Sequence, residues 1–441
     1  MKQTLAWLMA HQNKVDRNHF LFQEKRGIFF SHLTGCVYGG NFMNSFYRMV
    51  LSGLVTVLTI AGGLAAWAES YALKVLPPEH QRMVDTETGV TLTFLTSDPA
   101  ADTNFYFHER SWSTDSSIIY FYSARREGGL MGYLTQTGEL VRFDTPHGPV
   151  GAATASLSRN SVYALRGQEV LELTPSIEIS RNPAKKRSRV TVTERLIATL
   201  AGYSPHTALN ESCDGRHLAA GVSRFDDADQ PGIITIQVET GEVKTVCRFP
   251  KEPGYGGHVQ WSRTHPNLLS FAGRIERLNI VDIRDGRIRM PYKAIPDELV
   301  THESWWVNDQ LMFCGGVHPK PIEDSHVKLL NITTGEVRIV GEGAWWPQAT
   351  PEQVAKRNWW HASGSVDGVW VAADNWHGDI MLFEGRTTRP RLLTTGHRTY
   401  GKGEHPHVGW DRKSEQVVFT SHKLGSPDVC IATIPAEWRP K

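Results

Sequence analysis

Seven times along this chain a polar or histidine-bearing head is followed by an aromatic or small apolar residue, a polar turn and a β-branched apolar run. The heads are His108, Ala153, His206, His258, His302, His361 and His407, in steps of 45, 53, 52, 44, 59 and 46 residues. The fullest copy is GKGEHPHVGWDRKSEQVVFTS, residues 401–421. The apolar runs include Ile118 to Phe121, Val162 to Leu165, Leu268 to Phe271, Leu311 to Phe313 and Val417 to Phe419. A unit of this length makes one four-stranded sheet that cannot bury both faces by itself, so the copies must pack on one another. The pattern predicts an all-β, seven-bladed β-propeller with the units standing radially around a channel. Six of the seven heads carry a histidine at the same place. If each head opens the innermost strand, the imidazoles converge on one channel mouth and form a candidate metal and catalytic site.

A second mark follows most heads: QTGE at 136–139, ETGE at 239–242, RDGR at 284–287, TGE at 334–336 and EGR at 384–386. Each lies between short strand-like runs and reads as a tight hairpin joining outer strands. The last unit ends at Ile434 without such a hairpin and would leave an open strand edge. The isolated run Val90 to Leu95 is its expected partner, closing the ring by pairing the two ends of the domain and placing residues 69–98 in the seventh blade. Two insertions interrupt the repeat. Residues 177–195 read as a solvated loop with a basic cluster of Arg181, Lys185, Lys186, Arg187 and Arg189. Residues 341–361 hold Trp345, Trp346, Trp359 and Trp360, which fit either a sugar-stacking platform or blade packing.

With 40% hydrophobic and 21% charged residues, the 441-residue chain can bury a large core, and a net charge of +1 gives no support to a nucleic-acid footprint over the whole surface, leaving room for a local basic lining. Residues 49–64, MVLSGLVTVLTIAGGL, are short for a membrane span and precede Ala66-Trp67-Ala68, a small-x-small cleavage pattern. The organisation expected is a mis-assigned extension over 1–42 with translation starting at Met43, a signal peptide over 43–68 and one propeller over 69–441. Export, into a periplasm, is then the expected localisation, and an uncleaved inner-membrane anchor through 49–64 is the alternative. Cys36, Cys213, Cys247, Cys314 and Cys430 show no CxxC spacing, so no zinc ribbon is indicated, and one pair could bridge in an oxidising compartment.

Taken together, His258, THESW at 301–305 and EHPHV at 404–408 resemble the oligogalacturonate lyases, over about Phe105 to Pro435. The resemblance implies a seven-bladed propeller that cleaves short pectic oligomers by β-elimination with a divalent metal, usually Mn²⁺. It places metal-binding histidines at His302, His405 and His407, the catalytic base at His258 and a functional arginine at Arg224. Where the family has a glutamine three residues before its first His-Pro-His histidine, this chain has Lys402. Either Glu404 or water then completes the metal shell, or Lys402 holds a substrate carboxylate. An export signal also departs from a family expected in the cytoplasm.

The chemistry of these residues supports the same reading. Removing the proton at C5 of a uronate is hard while the neighbouring carboxylate is anionic, and a divalent cation on that carboxylate offsets the charge that develops. A neutral imidazole takes the proton and the C4 oxygen leaves. In His405-Pro-His407 the i, i+2 spacing of an extended segment puts both imidazoles on one side. Arg224 can bind a carboxylate bidentately or hold the imidazole neutral, or simply pair with Asp226 or Asp227. His108, His206 and His361 read as structural or substrate-facing. The expected partner is an acidic oligosaccharide. The alternatives are a lyase for another uronic-acid polymer such as ulvan, and a non-catalytic scaffolding propeller. No GxSxG element is present, which argues against a serine hydrolase.

Overall fold

The structure is a computed structural model that describes residues 68–439 apart from 126–127, 183, 226–228, 253–254, 318–324, 342–357, 376–377 and 398–404. Segment 1–67, Trp345, Trp346, Asp226, Asp227, Lys402 and Glu404 lie outside the described residues. No helix among the described residues is long and apolar enough to cross a membrane.

Seven antiparallel sheets follow one another along the chain. Their innermost strands are Asp102–Asn104, Gly151–Ala155, Tyr203–Pro205, Tyr255–Trp261, Thr301–Trp305, Trp359–Gly364 and Gly409–Trp410, here the first to seventh blades. The second strands, among them Ile118–Ser123, Leu268–Gly273 and Gln416–Ser421, are the apolar runs of the repeat. They are buried on both faces because each face packs on a different neighbour. Ile118 and Tyr120 face the second blade while Ile119 and Phe121 face the seventh. Seven apolar clusters result, one between each adjacent pair, and the cluster joining Trp112 and Phe121 to Val418 and Ile431 closes the ring. A side chain such as Phe121, 0% exposed, contributes about 1.5–3 kcal/mol by leaving water. The stability therefore sits between the blades rather than in a single core.

Thr91–Phe94 pairs with Asp428–Thr433, so the seventh blade combines strands from both ends of the domain. The segment before it does not stay there. Ala68–Ala72 pairs with Arg189–Thr199 on the second blade, Lys74–Leu76 with Leu140–Arg142 on the first, and only Gln81–Val84 joins the seventh. The expectation that residues 69–98 all belong to the seventh blade is thus corrected: three short strands cover three successive outer edges, which removes open ladders. The loop expected at 177–195 is partly strand, at both of its ends. Glu169–Glu178 and Arg189–Thr199 form one long hairpin whose outer edge receives Ala68–Ala72, and only the basic tip is irregular. Cys213, Cys247, Cys314 and Cys430 are free thiols.

A buried knot ties the N-terminal part to the ring. His397 bonds the Thr394 hydroxyl through Nε2 and the Ser421 hydroxyl through Nδ1, both at 2.7 Å. The Thr394 hydroxyl donates to Asp85 at 2.7 Å, and Lys423 reaches the same carboxylate at 3.2 Å. Burial, then the Lys423 charge, hold the His397 pKa well below its ordinary value, with Asp85 pulling weakly the other way. Burial likewise takes His206 down to about 4. Both are therefore neutral when folded and take a proton when unfolded below about pH 6.5. Their contribution is complete above that pH and is lost as pH falls below it. The melting temperature should drop between pH 7 and pH 5, and His397→Gln should flatten that drop. An unchanged slope in the variant would remove His397 as a cause.

Candidate active site

The heads turn inward through backbone strain. His258, His302 and His407 adopt left-handed φ values of 55°, 50° and 49°, a conformation that costs a non-glycine residue about 1–2 kcal/mol. In the fourth and fifth blades this coincides with a shift in strand register, between Gly257 and Gln260 and between Thr301 and Ser304. The extra residue leaves the ladder and its side chain points into the channel. In the second blade the residue with this conformation is Ala152, φ 49°, one place before the head expected at Ala153. Strain repeated at one point in several units marks a place where side-chain direction is held by the surrounding sheet.

Two groups of side chains form around the mouth. In the first, His258 Nδ1 lies 3.1 Å from an Arg277 guanidinium nitrogen and 3.4 Å from Glu303 Oε1, while Arg277 Nε donates to Glu303 Oε2 at 2.8 Å. The two neighbours of Nδ1 ask for opposite tautomers, because arginine can only donate to it and a carboxylate can only accept from it. Burial raises the pKa of the fully buried Glu303, but Arg277 and then His258 outweigh it and hold the group at about 2. Arg277 makes the shorter approach to Nδ1; with Nδ1–H turned to the Glu303 carboxylate instead, Nε2 keeps its lone pair. His258 Nε2 is 3.4 Å from the Tyr106 hydroxyl.

In the second group, ring nitrogens of His361, His405 and His407 lie within 4.8 Å of one another, close enough to hold one metal ion. Asp374, 0% exposed, orients this trio. Its oxygens lie 3.0 and 3.1 Å from His361 Nδ1, one accepts the His361 backbone N–H at 2.9 Å, and the other accepts that of His407 at 3.0 Å. A proton on Nδ1 leaves His361 Nε2 as the ligand atom, the arrangement of carboxylate–histidine metal sites. Asn104 Nδ2 donates to the His407 carbonyl at 2.6 Å, so the first blade helps hold the seventh-blade head.

His302 stands between the groups. Its ring centroid is 4.2 Å from that of His361, 6.1 Å from His258 and 4.7 Å from Trp360, and its Nδ1 is 3.1 Å from the Thr301 hydroxyl. Burial, then the neighbouring His361, push its pKa well below the usual imidazole range. Tyr106 bridges the site, with its ring 5.4 Å from His258 and 4.6 Å from His407. Trp359 and Trp360 are buried in the sixth blade, so this pair serves packing rather than an exposed platform.

Of the residues expected from sequence, His258, His302, His405 and His407 thus meet at one mouth. His361, read there as structural or substrate-facing, stands in the metal-ligand geometry. Arg224 is exposed at the end of His217–Phe225, near Asp229, and no described contact joins it to His258. Sequence reasoning passed over Tyr106, Arg277, Glu303 and Asp374. Tyr106 and Glu303 carried a signal, lying two and one positions from a head histidine. Arg277 and Asp374 carried none, since each belongs to the turn after, or the end of, a second strand and meets its histidine across the sheet.

No family model matches the chain, and no curated protein matches it in sequence. Among solved structures, an oligogalacturonate lyase in complex with manganese matches with a TM-score of 0.66 at 15% identity, covering 83% of this chain and 99% of that one. An oligogalacturonate lyase from Vibrio parahaemolyticus matches with a TM-score of 0.66 at 16% identity, covering 84% and 100%. The seven-bladed propeller described here is the fold of those two oligogalacturonate lyase structures, shared over nearly their whole length.

Proposed function

We propose that the protein is a polysaccharide lyase that cleaves uronate-containing oligosaccharides, galacturonate oligomers first among them, by β-elimination to a 4,5-unsaturated product. The observation that carries the reading is His258, buttressed on Nδ1 by Glu303 and Arg277 and facing a three-imidazole cluster across one channel mouth. His258 Nε2 takes the C5 proton, the electron pair forms the C4–C5 double bond, and the C4 oxygen departs with the leaving sugar. Arg277 and Glu303 aim the imidazole before transfer, and Glu303 balances the imidazolium afterwards. Tyr106, within reach of His258 Nε2, helps place the sugar between the two groups.

The donor set fits a divalent ion: three imidazoles, one with its second nitrogen anchored on a buried carboxylate. His361, His405 and His407 would hold it with His302 adjacent, and a bound ion supplies positive charge beside the carboxylate next to the acidic carbon. Mn²⁺ is the ion proposed, on the analogy of the manganese complex above. Arg224 and Lys402 are proposed to meet further carboxylates of the substrate. Export to a periplasm rests on segment 43–68 alone. The pairing of Tyr106 with His258 favours one second reading, a lyase for another uronic-acid polymer such as ulvan.

The test incubates the metal-loaded protein with galacturonate oligomers, other uronate polymers and neutral glycans, following the ultraviolet absorbance of an unsaturated product. Absorbance should rise with one uronate class and with no neutral glycan. No product from any uronate by protein with a full metal complement would refute the lyase reading and leave the scaffolding propeller.

A further inference from the structure

The inner strands that carry the histidines end in a different set of charges. In the fourth blade Arg263 follows His258 by five residues, and in the seventh Arg412 follows His407 by five, each directly after a Trp-Ser or Trp-Asp step. Five extended residues span up to about 17 Å, so both arginines lie toward the opposite end of the channel from the imidazoles. They reach across it rather than into their own blades. Arg263 donates to the Gly364 carbonyl of the sixth blade at 3.0 Å, and Arg412 to the Leu157 carbonyl beside the second blade at 2.9 Å. Arg110 joins them from the first blade, donating to the Ala155 carbonyl at 2.8 Å and to Glu211 at 3.3 Å.

Arg110 and Arg412 thus meet on carbonyls two residues apart, and Trp410 Nε1 donates to the Ser363 carbonyl at 2.8 Å, next to the Gly364 carbonyl that Arg263 holds. One carboxylate, Glu211, lies beside Arg110. Glu211 is fully buried and is already engaged by the Ser156 hydroxyl and the Leu157 backbone N–H. Glu109, the other carboxyl near Arg110, is pushed up to about 8 by burial and is protonated at neutral pH. Arg263 keeps exposed surface, yet crowding by the surrounding protein, then repulsion from Arg110 and Arg412, lower its pKa to about 10. A guanidinium has five N–H donors in a planar fork. Arg263 and Arg412 each commit one donor to a carbonyl, and their remaining donors have no partner among the described residues. None of the three arginines contacts an imidazole of the mouth among the described residues.

We propose that the far end of the channel is a second binding site, for one small oxyanion, held by the forks of Arg110, Arg263 and Arg412. Phosphate and sulfate offer the tetrahedral form of this chemistry and a carboxylate the planar one, and both match guanidinium geometry. The ligand would link the first, fourth and seventh blades across the ring and relieve the repulsion between their arginines. The inference is independent of lyase activity.

Calorimetric titration and thermal unfolding with inorganic phosphate, sulfate and acetate, at constant ionic strength, test it on the wild type, Arg263→Gln and Arg412→Gln. The expected result is one saturable site per chain and a melting temperature that rises with ligand concentration. Each variant should weaken binding at least tenfold. In oxyanion-free buffer Arg263→Gln should melt no lower than the wild type, because it removes a repulsion. Preference for phosphate and sulfate over acetate identifies a tetrahedral ligand, and the reverse a carboxylate. Absence of saturable binding for all three, or affinities unchanged in both variants, overturns the proposal.

Discussion

His258→Ala should lower turnover of a uronate oligomer by about 10²–10⁴-fold, the range for removal of a positioned general base, while the metal content stays at the wild-type level. The imidazole is outside the His361, His405 and His407 cluster, and its own contacts run to Arg277, Glu303 and Tyr106. The split between activity and metal therefore separates a base from a ligand. Glu303→Gln sharpens the test. A glutamine amide that donates to Nδ1 would force the proton onto Nε2, so kcat should fall with little change in KM, as expected when the wrong tautomer is held. Equal turnover by His258→Ala and wild type would remove this histidine from the mechanism. Loss of metal in His258→Ala would instead place it in the ligand set.

Removing a ligand should show the second large effect. His405→Ala and His407→Ala should each abolish stoichiometric binding of a divalent ion, measured by metal analysis after exhaustive dialysis and by titration. Asp374→Asn should weaken binding by about 10–100-fold, as is typical when the partner of a ligating imidazole is changed. The deciding pair is His361→Ala against His302→Ala. The ring geometry favours His361 for the third position, so its loss should match that of His405, and His302→Ala should keep the ion. The opposite outcome would return His302 to the ligand set, where the family resemblance put it, and leave His361 as its neighbour 4.2 Å away. Full metal retention in all four histidine variants would refute the site.

What the sequence by itself determined is the repeat and the place of the histidines within it. Alternating apolar runs such as Ile118 to Phe121 and turns such as Gly138 and Gly286 act over a few residues, so their order along the chain specifies seven similar sheets. The recurrence of the heads marked where His258, His302 and His407 stand in each unit, while the left-handed backbone that turns them into the channel came only with the fold. Which histidines stand close enough to share an ion is a property of ring order. The sixth blade is the seventh's neighbour, so His361 reaches His405 and His407, while His302 lies one blade further round. Asp374 to His361 and Arg277 to Glu303 are contacts between side chains 13 and 26 residues apart. They depend on strand pairing and on blade-to-blade packing, which leave no local mark. The spread of residues 68–84 over three blades, and the three arginines that meet at the far end of the channel, were likewise decided only when the ring closed. An exposed edge or an unmatched charge takes whichever partner closure brings within reach, and one-dimensional spacing does not encode that partner.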